Sequence, residues 1–314
     1  MKSSQHHVLE TARGWLTEGH VVELVTVVRT FGSSPRPVGS IAAVRDDETL
    51  VGSVSGGCIE SQLSQQFQQT TMPQVHTHTI DDERAKRFGL ACGGELQLLF
   101  ETLSDIALLD KALDLLNNRQ RVVRRVNTGV DTGDKLTSIE AATSNDVFAW
   151  QAPQLIQVWG PSWQLLLVGA GELSRFTAQF AKALDFNVMV VDPRDKFRQA
   201  WDVDSVPVLN MSPDDAVLQY ATDERSAVLA LSHDANIDDL ALMEALPSKA
   251  FHVGALGSTR NYDKRCKRLV GLDVPPDCVF RLKGPVGLSI GARGAAEIAV
   301  SIIAELIQVR QSLL

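Results

Sequence analysis

Residues 164–192 narrow the possible folds more than any other stretch of this 314-residue chain. Gln164 to Val168 is an apolar strand, followed by Gly169-Ala170-Gly171-Glu172-Leu173-Ser174, after which Phe176, Phe180, Ala183 and Leu184 recur at helical spacing. A second strand, Asn187 to Val191, ends at Asp192. This is the opening of a Rossmann-type unit. Its glycines permit a tight turn and the close approach of a pyrophosphate to a helix N-terminus, where unpaired N–H groups favour negative charge. Asp192 stands where an acidic residue normally meets a ribose hydroxyl, and Ser174 takes the place of the usual third glycine.

The pattern downstream extends the same sheet. Residues 227–231 run into Ser232-His233-Asp234, and 251–253 into Gly254-Ala255-Leu256-Gly257-Ser258, each ahead of a helical pattern. Strands alternating with helices predict a doubly wound parallel sheet, with its ligand outside the carboxyl ends of the strands. Gly169, Gly171, Ser174, Asp192, His233 and Gly257 are therefore expected to converge there, His233 as a group that orients the ligand. Ser232, His233 and Asp234 are consecutive and do not constitute a catalytic triad by proximity in sequence. Arg260 opens a basic helix whose other cations read as a solvated face, and it joins the candidate set. A glycine-rich loop at 282–293 precedes a last helix that buries Ile298, Ile302 and Leu306.

The chain exceeds the length that one core usually serves, so a second domain is expected. Its N-terminal half mixes helix and strand without strict alternation, which predicts a separate α+β domain. Residues 30–40, TFGSSPRPVGS, form a loop in which Pro35 and Pro37 flank Arg36, a guanidinium fork suited to a phosphate or carboxylate. In residues 51–60, VGSVSGGCIE, Gly56 and Gly57 keep space open ahead of Cys58. Ile59, Leu63 and Phe67 then mark a helix, so the thiol is expected at a helix N-terminus, where unpaired N–H groups favour the thiolate. Residues 90–95, LACGGE, repeat the device with Cys92, Gly93 and Gly94. His76 and His78 share one strand face, with no third ligand at metal spacing. Residues 127–160 are polar and turn-rich, and are expected to link an N-terminal domain at 1–126 to a Rossmann-like domain at 161–314.

Composition excludes several classes. A net charge of -8 and a pI near 5.4 argue against a nucleic-acid partner. Four cysteines in a chain this long are no disulfide framework, and no basic start followed by an apolar run marks a secretory signal, so a cytoplasmic protein is expected. The apolar run at 298–307 is too short to span a bilayer, and no membrane segment is expected.

Several motifs occur together and in one order: SSPRPVGS, GSVSGGCIE, GLACGGELQLL, LLLVGAGELSR, VVDPR, SHD, HVGALGSTR, GPVGLSIGA and EIAVSIIAEL. Over nearly its whole length the chain thereby resembles the xanthine dehydrogenase accessory proteins, the XdhC/CoxI family, including the PaoD-type molybdenum cofactor insertion chaperones. The resemblance implies a binder rather than a turnover enzyme. Such a protein holds the molybdenum cofactor, as molybdopterin or its cytosine dinucleotide form, and protects it while its sulfido ligand is installed with a cysteine desulfurase. It then inserts the cofactor into a molybdoenzyme apoprotein of the xanthine dehydrogenase or aldehyde oxidoreductase type. A cofactor nucleotidyltransferase is a further implied partner, and a homodimer is compatible with the family. Carried onto this chain, the resemblance makes Cys58 and Cys92 contacts for molybdenum or its sulfur, with Gly169 to Ser174 holding phosphate. The chain departs from the family at Glu172, often His, at Ser289, often Asp, and at Gly294-Ala295, often Thr-Pro. A carboxylate at 172 would repel a phosphate. The alternative is an NAD(P)-dependent oxidoreductase built on the Rossmann-like domain, with a dinucleotide as its cofactor.

Overall fold

The computed structural model describes residues 4–32, 36–57, 59–65, 67, 69–80, 94–129, 136–143 and 145–313. They form two compact units, one of residues 4–161 and one from residue 162 onward.

The first unit opens with helix α1 (Ser4–Thr17), strands β1 (Val22–Gly32), β2 (Ile41–Arg45) and β3 (Leu50–Gly52), and a short helix α2 (Glu60–Gln65). Strands β4 (Gln74–Ile80) and β5 (Gly94–Leu103) and helix α3 (Ile106–Asn117) follow. The strands make an antiparallel sheet in the order β3-β2-β1-β5-β4. Both faces of its central strand are buried. Val22 and Leu24 pack with Val8, Leu9 and Trp15 of α1 and with Leu109 and Leu113 of α3. Val25 and Val27, on the opposite side, pack with Val54, Ile59 and Leu63. The period of two in β1 thus separates two apolar layers.

A second antiparallel sheet completes this unit: β6 (Val122–Asn127), β7 (Thr137–Ala141), β8 (Ala149–Gln151) and β9 (Gln154–Trp159), in the order β7-β6-β9-β8. Residues 127–160, expected as a linker, therefore carry strands. The alternation at β9, where Leu155 and Trp159 are buried and Gln154 is exposed, is too brief and too interrupted by turn residues to stand out in the sequence.

Buried polar groups tie the two sheets together. Arg124 of β6 is 1% exposed; its Nη2 donates to Glu101 of β5, whose other oxygen accepts from the Thr137 hydroxyl of β7. Arg124 Nη1 donates to Gln157 Oε1 of β9 at 2.6 Å, and its guanidinium lies 5.5 Å from the centre of the Trp159 ring. Gln157 Nε2 in turn donates to the Gly39 carbonyl at 2.9 Å, which fixes the loop carrying Arg36. Burial pushes the Arg124 guanidinium down to about 9.

In the second unit the chain runs through β10 (Gln164–Val168), α4 (Glu172–Ala183), β11 (Asn187–Val191), α5 (Asp195–Gln199), β12 (Val208–Leu209) and α6 (Pro213–Tyr220). It continues with β13 (Ser226–Ala230), α7 (Ala235–Ala245), β14 (His252–Ala255), α8 (Thr259–Gly271), α9 (Pro276–Val279), β15 (Leu282–Lys283) and α10 (Ala295–Gln311). The six strands are parallel in the order β12-β11-β10-β13-β14-β15, which is the Rossmann order 3-2-1-4-5-6. Leu165 and Leu167 pack on one face with Ile302 and Leu306 of α10. Leu166 and Val168 pack on the other with Ala241 and Leu242 of α7. The doubly wound α/β expectation and the separate N-terminal unit are both observed. Among the described residues no helix is long and apolar enough to cross a membrane.

Removing one member of the buried pair leaves the other charge without its counter-ion. Arg124→Ala or Glu101→Ala is expected to lower the unfolding free energy by about 3–5 kcal/mol. The drop is read from the urea midpoint of the transition, and replacing both by Met and Leu together is expected to recover most of it.

Candidate functional site

The strand order reverses between β10 and β13, and their carboxyl ends define a crevice. At its base Gly169 takes φ +99°, and a Cβ there would stand 2.5 Å from the Cα of Ser232. Glycine is therefore required both for the turn and for the close approach of the two strand ends. The crevice, about 430 Å³, is lined by Gly171 and Leu173 at the start of α4, His233 after β13, Gly257 after β14 and Ala295 and Ile298 at the start of α10. Glu172 lies on its wall. No side-chain atom occupies the space a Cβ at Gly171 would fill, so a ligand can reach the main chain at the helix start. The lining is mostly apolar, which suits a flat ring more than a bare anion.

The rim at β13 is held by a buried acid. Ser232 donates to Asp238 Oδ1 through its hydroxyl at 2.7 Å and through its N–H at 3.1 Å, and Arg265 Nη2 donates to Asp238 Oδ2 at 3.0 Å. Burial pushes the Asp238 carboxyl up, against the Ser232 hydrogen bonds and the Arg265 charge. Arg265 Nη1 also donates to the Leu256 carbonyl at 3.3 Å, linking this rim to the end of β14. His233, exposed beside this network, holds φ +62°, a conformation that non-glycine residues seldom adopt. Arg260 is exposed in the first turn of α8 and does not line the crevice. Ser174 is fully buried rather than open to a ligand.

Asp192 is fully buried as well. Its carboxylate accepts from the Ala170 N–H at 2.8 Å, from the Arg194 N–H at 3.0 Å, and from Arg194 Nε and Nη2 at 2.9 and 2.8 Å. Burial raises this carboxyl, but the Arg194 fork and the two N–H groups outweigh it and hold the group below the usual carboxylate range. The Arg194 guanidinium sits 4.0 Å from the centre of the Phe197 ring.

In the first unit the structure brings Arg36 to the Gly56-Gly57 loop. Arg36 Nε donates to Ser53 Oγ at 3.3 Å, and the same oxygen accepts from the Gly56 N–H at 3.0 Å. Gly56 and Gly57 take φ +74° and +110°. The loop closes on Glu60. Its Oε1 accepts from the Ser53 hydroxyl at 2.6 Å and from the Val54 and Ser55 N–H groups at 3.1 and 2.9 Å. Its Oε2 accepts from the Ser55 hydroxyl, from the Gly57 N–H at 2.9 Å and from the Ile59 N–H at 3.3 Å. These bonds overcome the cost of burial and hold the Glu60 carboxyl down to about 2. The flanking N–H groups expected to be unpaired are thus directed at Glu60, and α2 is one short helix of six residues. Cys58, Cys92 and Gly93 lie outside the described residues; Gly94 begins β5, opposite Gly32 and Ile80. His76 and His78 both pack toward Phe100, with ring centres at 5.2 and 6.0 Å. Among the described residues no cluster of three or more His, Cys, Asp or Glu could hold a metal ion.

Comparison with known proteins matches this architecture unit by unit. A model of the XdhC and CoxI family matches residues 15–79, and a model of the XdhC Rossmann domain matches residues 165–306. The chain belongs to the XdhC/CoxI family. It is 28% identical to the molybdenum cofactor insertion chaperone PaoD of Escherichia coli K12, over 96% of this chain and 88% of that protein. It is 26% identical to a Bacillus subtilis 168 protein whose name makes it a probable xanthine dehydrogenase subunit, over 92% of this chain and 93% of that one. A crystal structure described as a xanthine dehydrogenase from Bacillus halodurans superposes with a TM-score of 0.76 at 25% identity, covering 99% of this chain and 96% of that one.

Within this XdhC-family chain, sequence reasoning missed Glu60 and Arg194. Both carried a signal. Glu60 stands three residues after Gly57, the spacing at which an acid reaches back to a helix-capping N–H, and Arg194 follows Asp192 across Pro193.

The Glu60 geometry sets a pH dependence. Its folded value near 2 lies below the ordinary value of 4.5, so its stabilisation is fully present above about pH 4.5 and is lost as pH falls through 2. Glu60→Gln is expected to lower stability at pH 7 by about 1–3 kcal/mol. The gap to wild type should shrink steadily between pH 4.5 and 2, as measured by thermal melting across that range.

Proposed function

We propose that this XdhC-family chain carries the molybdenum cofactor. It binds the cofactor, shields it while a cysteine desulfurase supplies the terminal sulfido ligand, and inserts it into a xanthine dehydrogenase or aldehyde oxidoreductase type of apoprotein. The observation that carries this proposal is the similarity to the insertion chaperone PaoD across nearly the whole of both chains. The site chemistry supports it. The thiols of Cys58 and Cys92 would be soft ligands for molybdenum or its sulfur, and each adjoins a Gly-Gly pair in the sequence, Gly56-Gly57 and Gly93-Gly94. Arg36 supplies a guanidinium beside the first of these pairs. In the second unit, the apolar crevice and the exposed helix start at Gly171 suit a ring system with a phosphate tail, with His233 and Gly257 on its wall and Arg260 nearby in sequence. Such a carrier works in the cytoplasm, taking its cargo from a cofactor nucleotidyltransferase when the cytosine dinucleotide form is used. A homodimer is compatible with this role.

The alternative, an NAD(P)-dependent oxidoreductase, draws on the 3-2-1-4-5-6 strand order and the glycine turn. Against it stands the Asp192 carboxylate, which is fully buried and already met by four protein donors.

Protein purified from cofactor-producing cells is expected to release a fluorescent oxidised pterin together with molybdenum. Cys58→Ala and Cys92→Ala are expected to keep the fold, by circular dichroism, while molybdenum retention falls about tenfold or more. Absence of both pterin and molybdenum from the wild-type protein would overturn the proposal. Normal maturation of the apoenzyme by both variants would remove the thiols from it.

A further inference from the structure

Asp192 is buried behind the glycine turn at the end of β11, and its constraints bear on which nucleotides this Rossmann unit can accept. In a dinucleotide-binding unit the acid after the second strand offers free oxygens to a ribose diol. An ionised carboxylate has about four acceptor positions. Asp192 receives four hydrogen bonds, one from Ala170 in the glycine turn and three from Arg194. We infer that Arg194 is a specificity-determining residue that closes the ribose subsite, so that this unit rejects nucleotides held through a free ribose diol at the end of β11.

Three features make the closure a built part of the fold. The guanidinium meets the carboxylate edge to edge, Nε on Oδ1 and Nη2 on Oδ2, the bidentate geometry that gives such pairs their strength. Pro193 fixes the backbone between the two partners, which lets the Arg194 N–H and its guanidinium grip the same Oδ1. Phe197, one turn of α5 further on, lies under the guanidinium at 4.0 Å, while Arg198 Nη1 donates to the Asp192 carbonyl at 2.9 Å. A ribose hydroxyl entering here would have to displace a stacked, doubly bonded arginine and leave its charge partly buried. The Ala170 N–H, part of the glycine turn, is also spent on Asp192. The turn keeps its shape and its open helix start, but the ribose end of the usual dinucleotide footprint is filled by protein. This inference rests on the hydrogen bonds of the turn and not on the cargo proposed above, whose cytosine dinucleotide form would have to place its own ribose diol away from the end of β11.

The test is a titration of the full chain with NADH, followed by calorimetry and by cofactor fluorescence. Wild type is expected to show no saturation below about 1 mM. Arg194→Ala should free the Asp192 oxygens and tighten NADH binding about tenfold or more, an effect that misfolding does not produce. Arg194→Met, which keeps an apolar stem against Phe197 while removing the fork, should do the same. Adding Asp192→Asn to either variant should abolish the gain, since the gain runs through the carboxylate. Micromolar NADH binding by wild type would overturn the inference, as would two folded variants that bind NADH no more tightly than wild type. Failure of the protein to carry pterin or molybdenum leaves this outcome untouched, so the two proposals fall separately.

Discussion

A carboxylate taken out of water must be given back its hydrogen bonds, and much of the crevice-bearing edge of this protein follows from meeting that demand at Asp192. The acid is fully buried, so the glycine turn supplies one N–H, the peptide after Pro193 another, and the Arg194 fork the rest. That one cluster joins β10 to β11 and fixes the start of α5. The neighbouring strand end solves the same problem with different groups, since buried Asp238 is met by Ser232 and Arg265. With both strand ends pinned, Gly169 and Ser232 can approach as closely as they do, and the crevice between them keeps a fixed outline.

The first unit repeats the principle with the charges rearranged. Arg124 is the buried ion there, and Glu101, Gln157 and Thr26 satisfy it from three different strands, so that two sheets behave as one body. Glu60 does the same for a loop. Six donors converge on its two oxygens, and the backbone of residues 53–59 is drawn into a coil around it where it is described. Gly56 and Gly57 are needed for that coil, because a chain wrapping a carboxylate through successive N–H groups must pass through positive φ.

These arrangements explain what the sequence did and did not disclose. Parallel strands buried on both faces are written as continuous apolar runs, so β10, β11 and β13 stood out, and with them the doubly wound fold. The strands of the second antiparallel sheet are short, and one buries the charged residue Arg124, which hides them from any search for apolar alternation. At the site, glycines and strand ends were legible because backbone geometry demands particular residue types. Hydrogen-bond saturation was not. Asp192 in sequence is the acid that usually binds ribose; its fork with Arg194 appears only when side chains two residues apart are placed in space. Glu60 was hidden for the same reason, being a common acid in a helix start until six donors are seen to meet it.

The distribution of charge also constrains how a cargo could be held. A carrier has to release what it binds, and a net charge of -8 sets the whole molecule against an anionic ligand. Two of the described glycine turns already contain an anion of their own, Glu60 in one and Asp192 in the other, and Glu172 adds a third on the crevice wall. A phosphate arriving at the start of α4 gains the N–H groups and the helix dipole, worth about 0.3–1 kcal/mol in an exposed setting, and it meets the Glu172 carboxylate in the same turn. The largest gain left to a ligand in this crevice is burial of a ring against Leu173, Leu231, Leu256 and Ile298. A crevice that withholds strong ionic anchoring in this way is suited to releasing what it binds.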